Sequence, residues 1–295
     1  MKTLIYCDTG WSLGQLYSAV APHVGADFVD WSKRYPPEFF RDYDRVLTLA
    51  GPGSSVLVDS CGVPREKIIV VAHADEDLIK MLRHDGDEGV RKYAGFGVVS
   101  DTLACVSLSL GLTRVPTVLR QGISCADYAC KPADRLRTVG YGAVVSRSNA
   151  YGVEIKRGEL VRTVVEGLGL RFDPAMSRGR LTRAQMPGYY QSVDAVVMSS
   201  LQEGGAMPPY EAAASGRLVV GTPAGDFPRL ALEGVGVMGP LNDEPFAEFL
   251  AQTLEYYRSN RRCFQMKCKS IQEAARGRDW SQVAGDWVRF VGESS

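Results

Sequence analysis

Short apolar runs alternating with amphipathic stretches along the whole chain constrain its fold more than any other feature. Runs such as Lys67–Ala72 and Ala195–Met198 are followed by segments with helical spacing. Strands buried on both faces are apolar throughout, and parallel strands are joined by helical crossovers. The alternation is therefore the signature of β-α-β units and parallel sheets. In the first half, strands are predicted at Thr3–Tyr6, Asp27–Trp31, Arg45–Leu49, Lys67–Ala72, Gly97–Ser100 and Pro116–Leu119. Helices such as Leu13–Val24 and Asp101–Leu110 fall between them. The polar, proline-containing segment Cys130–Asp134 breaks the pattern and is placed at a domain boundary.

The alternation then restarts. Leu136–Val139 is predicted as a strand running into Gly140-Tyr141-Gly142, and Gly158–Leu168 as a helix. Ala195–Met198 is a strand, Pro208–Ser215 a helix followed by Gly216, and Leu218–Gly221 another strand. Proline fits the first turn of a helix and glycine the position past its end, where Pro208, Pro209 and Gly216 stand. The tail, Glu244–Arg258 and Trp280–Val291, reads as helical. At 295 residues the chain is too long for one ordinary core and suits two. The expected architecture is α/β: two Rossmann-like domains facing a central cleft, 1–133 and 134–278, with a final helix, 279–295, returning to the first.

Composition narrows the classes further. A hydrophobic content of 45% and charged content of 23% are those of a globular protein. Thirty-four basic residues balance thirty-four acidic ones, so total charge points to no polyanionic partner. No stretch approaches the roughly 20 apolar residues that span a bilayer. The run Thr3–Tyr6 is too short for a signal-peptide core, and cytoplasmic residence is expected. The seven cysteines contain no C-x-x-C pair, so reduced thiols used as small hydrophobes are expected rather than a metal knuckle.

The stretch that carries chemistry is Ser199-Ser200-Leu201-Gln202-Glu203-Gly204-Gly205-Ala206-Met207-Pro208-Pro209-Tyr210-Glu211. A strand ends, a glycine-rich turn follows, and a helix opens at the prolines. Such a turn aims free backbone N–H groups and the positive end of a helix dipole into one space, which suits a phosphate or sugar hydroxyls. Glu203 and Glu211 bracket it, and carboxylates accept paired hydrogen bonds from vicinal diols.

Two glutamates separated by seven residues, with this filling and the following Ala-Ala-Ala-Ser-Gly-Arg-Leu-Val-Val-Gly-Thr-Pro, resemble the family-4 retaining glycosyltransferases of GT-B fold. Further motifs stand in family order: Arg120-Gln121-Gly122-Ile123-Ser124, Lys156-Arg157-Gly158, Tyr189 to Ala195, and Asp279-Trp280-Ser281. The resemblance implies transfer of a sugar from a UDP- or GDP-sugar donor to an acceptor hydroxyl, with retention and without a metal or other cofactor. It implies that Glu211 holds the ribose and Glu203 the sugar hydroxyls. The amides of Gly204, Gly205, Ala206 and Met207 would meet sugar and phosphate. Arg147 with Lys156 or Arg157 would meet the diphosphate. Gly10 and Trp11 would form the loop near the phosphates, and His73 would face the reacting sugar. The first loop has one glycine and then tryptophan where the family has a glycine pair, and the first domain is short; both bear on the acceptor.

Other readings compete. Glu203 and Glu211 could be ordinary surface carboxylates, and His73 a satisfied core histidine. Gly140-Tyr141-Gly142 is an incomplete dinucleotide fingerprint. Asp75-Glu76-Asp77 and Asp85-Gly86-Asp87 match a metal-holding Asp-x-Asp in form, but read as a solvated face. A non-catalytic nucleotide-sugar binding protein is the rival from another class. Acceptors considered are a glycan, a small molecule and a hydroxymethylated pyrimidine base in DNA. The last rests on the first loop, which resembles small viral-type enzymes, and on the span 131–183, with eleven basic and five acidic residues. Trp11 or Tyr35 would then offer a stacking surface.

Overall fold

The computed structural model describes residues 1–9, 12–148, 152–179 and 181–294. The chain divides into two compact units, Met1–Gly122 with Trp280–Ser295, and Ile123–Asp279. The division falls before Cys130–Asp134, which lies within the second unit rather than at its border. There Ala133 N–H donates to Gly216 O at 3.0 Å and Arg217 Nη2 to Lys131 O at 2.7 Å, so the proline segment is a loop bound to its own sheet.

The first unit is built on strands β1 (Thr3–Cys7), β2 (Ala26–Asp30), β3 (Arg45–Leu49), β4 (Ile68–Ala72), β5 (Gly95–Val98) and β6 (Thr117–Val118). They form one sheet in the order β2-β1-β3-β4-β5-β6, every pairing parallel. β1, β4 and β5 are buried along their whole length, which explains their unbroken apolar runs. Helix Trp280–Glu293 belongs to this unit. Its Val283, Trp287, Phe290 and Val291 are buried; Trp287 Nε1 donates to Arg120 O at 2.9 Å, and its ring meets Tyr17 edge-on at 6.1 Å. Phe290 lies over Gly95 and Gly97, where an added Cβ would come within 3.2 and 3.0 Å of its ring. Burying side chains the size of Val283 or Phe290 stabilises by about 1.5–3 kcal/mol each.

The second unit carries β7 (Thr138–Tyr141), β8 (Arg171–Pro174), β9 (Ala195–Met198), β10 (Leu218–Gly221) and β11 (Val237–Met238). Their order is β11-β10-β9-β7-β8, again all parallel. The order turns back between β7 and β9. In a doubly wound sheet, ligands bind outside the carboxyl ends of the strands at such a switch point. That rule selects the segments after Tyr141 and after Met198. Sequence patterning leaves β8 and β11 unpredicted, because both are short edge strands with partly polar composition. Helix Arg261–Ala275, charged on its outer face, is likewise unpredicted. Among the described residues, no helix is long and apolar enough to cross a membrane.

Candidate donor-binding site

At the switch point, β9 leads through Ser199 and Ser200 into the turn holding Glu203, Gly204 and Gly205, and then into helix Met207–Ala214. Ala206 is extended at the helix start and no side chain caps the first turn. The helix therefore opens with backbone N–H groups and its positive dipole end, the arrangement that favours an anion. Two glycines outside the motif make the geometry possible. A Cβ on Gly225 (φ 59°) would lie 2.5 Å from Gly204 O, and one on Gly142 would lie 2.5 Å from Pro208 Cβ. Gly140 similarly accommodates the Tyr189 hydroxyl, so Gly140-Tyr141-Gly142 serves packing against the motif helix.

The basic residues arrive on a segment laid across the ends of β7 and β9. Tyr141 and Ser199 both donate to Lys156 O, the latter at 2.6 Å, and Leu201 N–H donates to Ile155 O at 2.9 Å. Lys156 is buried and its ammonium is bound by Glu203 Oε1, which also accepts from Ser200 Oγ at 2.7 Å. Arg157 takes a left-handed backbone (φ 55°), the single non-glycine residue of positive φ among the described residues. Its guanidinium donates to Ser199 O at 2.5 Å, Leu241 O at 2.7 Å and Asp243 Oδ1 at 2.6 Å. It also lies 5.7 Å from the Phe246 ring centroid. Of the two basic candidates, Arg157 is fastened to β9 and to helix Asp243–Ser259, whereas Lys156 faces a carboxylate of the motif turn. Arg147 is exposed, and its backbone N–H donates to Glu154 Oε1 at 2.9 Å.

Glu211 is buried one turn inside the motif helix. Tyr128 donates to its Oε1 and Tyr190 to its Oε2, each at 2.7 Å. Burial pushes its carboxyl pKa up, while the tyrosine hydroxyls and the charge of Arg183 pull it back. Glu203 and Glu211 are thus not ordinary surface carboxylates. Each oxygen of Glu211 keeps lone-pair capacity beyond its tyrosine bond. Sequence reasoning did not single out Tyr128 or Tyr190 as partners; Tyr128 lies 83 positions from Glu211.

In the first unit, His73 follows β4 and is buried, its Nε2 hydrogen-bonded to the Tyr17 hydroxyl at 2.9 Å. Burial lowers its pKa to about 3, so the imidazole is neutral, and its Nδ1 is buried without a partner. Gly10 and Trp11 lie outside the described residues. Tyr35 packs on Phe39, with ring centroids 4.6 Å apart.

The two acidic clusters are only in part the solvated face expected: Glu76 is exposed, but one carboxylate of each cluster is buried. Asp77 is buried and accepts the His73 N–H at 2.9 Å, with burial raising its pKa to about 6. The Asp85 carboxylate is fully buried and accepts from Arg65 at 2.6 Å and Tyr93 at 2.7 Å. Part of the basic span is also engaged within its unit: Arg162 pairs with Glu159 at 3.2 Å, and Arg171 and Arg178 share Asp173. All seven cysteines are free thiols, Cys105 among them exposed. A cavity of about 520 Å³ lies at the far end of the motif helix, lined by Cys125, Cys130, Ala214, Gln272 and Arg276 among others.

Comparison with known proteins agrees with this geometry. Residues 150–256, wholly within the second unit, match the family model described as Glycosyl transferases group 1. The fold is similar to that of HepE from Anabaena, solved in complex with UDP-glucose (13% identity, 100% of this chain and 99% of that one, TM-score 0.72). It is similar to sucrose-phosphate synthase from Thermosynechococcus elongatus (11% identity, 100% of both chains, TM-score 0.71). A glycosyltransferase from Rickettsia africae is also similar (13% identity, 99% and 98% covered, TM-score 0.68). The chain thus has the fold of these GT-B structures, and its residues 150–256 resemble the group 1 glycosyl transferases. No curated protein matches it in sequence.

Proposed function

We propose that the protein transfers a glycosyl group from a nucleotide-sugar, UDP- or GDP-linked, to an acceptor hydroxyl with retention of configuration. One observation carries the reading: Lys156, Glu203 and the uncapped start of helix Met207–Ala214 converge at the switch point of the second sheet. A cation, a helix N-terminus and a diol-binding carboxylate are the groups a sugar diphosphate needs. The match of residues 150–256 and the UDP-glucose complex of HepE support the same choice.

In this account Lys156 leaves Glu203 for the donor diphosphate, joined by Arg147 and by the amides of Gly204, Gly205, Ala206 and Met207. Glu203 is freed for the sugar hydroxyls. Glu211, oriented by Tyr128 and Tyr190, accepts from the ribose. Arg157 holds the Lys156 turn in place. The bond from the anomeric carbon to the leaving phosphate oxygen breaks as the acceptor oxygen bonds to the same face, and the acceptor proton passes to that phosphate oxygen. The protein supplies position and charge rather than a nucleophile. His73, neutral and with Nδ1 buried and unpartnered, keeps a ring nitrogen for a further hydrogen bond.

The test is nucleotide release from a panel of UDP- and GDP-sugars, with product stereochemistry read by NMR. Acceptors should include glycans, small polyols and duplex DNA containing hydroxymethylated pyrimidines. Transfer from at least one donor with retention supports the proposal. Inversion refutes the mechanism, and binding without transfer or hydrolysis of any donor favours a non-catalytic sensor.

A further inference from the structure

Resting on that reading of the site, we propose that Glu154 is a positioning residue for the donor. Its carboxylate ties the segment bearing Arg147 to the turn bearing Lys156 and Arg157, and so sets where the cations meet the diphosphate. Oε1 accepts three backbone N–H groups, from Arg147 at 2.9 Å, Lys156 at 3.0 Å and Arg157 at 3.1 Å. Oε2 accepts the Ser146 hydroxyl. Around it the two flanks are zipped: Ile155 N–H donates to Arg147 O at 2.8 Å, Gly158 N–H to Val145 O at 2.7 Å, and Ser148 bridges Glu154 in antiparallel sense.

Three features separate this carboxylate from an ordinary loop staple. Four bonds, three of them on Oε1, turn the carboxylate toward its own segment, so its main engagement is with the backbone that carries the cations. A negative charge beside cations that bind an anion opposes that binding by simple Coulomb repulsion. Its presence there is accounted for by the geometry it imposes. Finally, it holds the N–H of Arg157, whose left-handed backbone is sterically unfavourable for a residue with a Cβ. Strain of this kind persists where surrounding bonds over-determine it. Without Glu154 the Arg157 backbone is free to relax, and Lys156, one residue away, turns with it. The Ser146 hydroxyl and the amides hold the Glu154 carboxyl down at about 2, so the charge is present throughout the working pH range.

The experiment compares wild type, Glu154→Gln and Glu154→Asp as full chains by calorimetric titration with UDP and GDP, thermal melting, and donor KM and kcat. Glu154→Gln turns an amide N–H toward groups that themselves donate. It should weaken nucleotide binding by roughly tenfold and raise donor KM similarly, with kcat changed less than about threefold. In a background of Arg147→Met with Lys156→Met, the same substitution should cost less than about twofold, because its effect runs through those side chains. Should Glu154→Gln fail to fold, Glu154→Asp keeps the charge and reaches fewer of the four donors, and a KM rise of about threefold or more carries the same expectation. Unchanged nucleotide affinity with a lowered Tm would overturn the proposal in favour of a loop staple. A full tenfold loss in the double-methionine background would overturn it as well. If wild type binds neither UDP nor GDP, the nucleotide-sugar reading itself falls, an outcome distinct from both.

Discussion

Replacing Glu203 by glutamine should make the protein bind bare nucleotide diphosphate more tightly while damaging turnover. In the structure the Lys156 ammonium is bound by Glu203 Oε1, with the Lys156 and Glu203 side chains only 11% and 16% exposed. A diphosphate that recruits Lys156 must first break that charge-assisted bond, and bonds to charged groups are worth about 1.5–3 kcal/mol net. Glutamine keeps the shape and an oxygen for Ser200 but holds the ammonium far less strongly. It also removes a negative charge facing the phosphates. If about half of the bond energy is recovered, ~0.75–1.5 kcal/mol, UDP or GDP binding tightens roughly 3- to 12-fold. Transfer should meanwhile fall, because the sugar hydroxyls lose their charged acceptor. Isothermal titration with UDP and GDP, alongside turnover, reads both effects. The same substitution in a Lys156→Met background should tighten nucleotide binding much less, because only the removal of the carboxylate charge remains. Weaker or equal binding in Glu203→Gln alone would show that Lys156 does not exchange Glu203 for phosphate, and the proposed roles of both residues would fail.

Glu211→Ala should weaken UDP and GDP binding by about 1.5–3 kcal/mol, and should also lower Tm, since it leaves the Tyr128 and Tyr190 hydroxyls buried without their acceptor; unchanged nucleotide affinity would refute the ribose assignment. His73 gives a signed pH dependence. Its folded pKa, about 3, lies below the unfolded value near 6.5, so unfolding takes up a proton between the two and native stability falls as pH drops through that window. The slope reaches about 1.4 kcal/mol per pH unit. Melting of His73→Asn should show a flatter loss between about pH 6.5 and 4.5, and parallel curves for the two proteins would place the proton uptake elsewhere.

The strands were legible where burial dictates their composition. β1, β3, β4, β9 and β10 are apolar runs because parallel strands in the middle of a sheet have no solvent face, and their predicted limits match within a residue or two. β8 was illegible for the converse reason: Arg171-Phe172-Asp173-Pro174 lies at a sheet edge and is half polar. The unit boundary was displaced because Pro132 marks a loop that bonds back to its own sheet. Asp77 and Asp85 read as solvated because their partners come from outside the acidic runs, from the His73 amide, Arg65 and Tyr93. In the site, the turn and helix around Glu203 follow from local glycine and proline chemistry. The grip of Tyr128 on Glu211, the Lys156–Glu203 pair and the four bonds of Glu154 depend on tertiary approach or on the antiparallel bridge of Ser148 with Glu154, which no spacing rule encodes.

In the proposed function, the nucleotide diphosphate of a sugar donor lies at the switch point of the second sheet. The most direct test is a crystal structure of the protein with UDP or GDP, whichever binds. The account predicts ribose hydroxyls hydrogen-bonded to Glu211. It predicts the diphosphate at the start of helix Met207–Ala214 within reach of the Lys156 ammonium, and that ammonium withdrawn from Glu203. Nucleotide seated elsewhere, for instance in the cavity beside Cys125 and Arg276, or at the switch point with Lys156 still bound to Glu203, would contradict it.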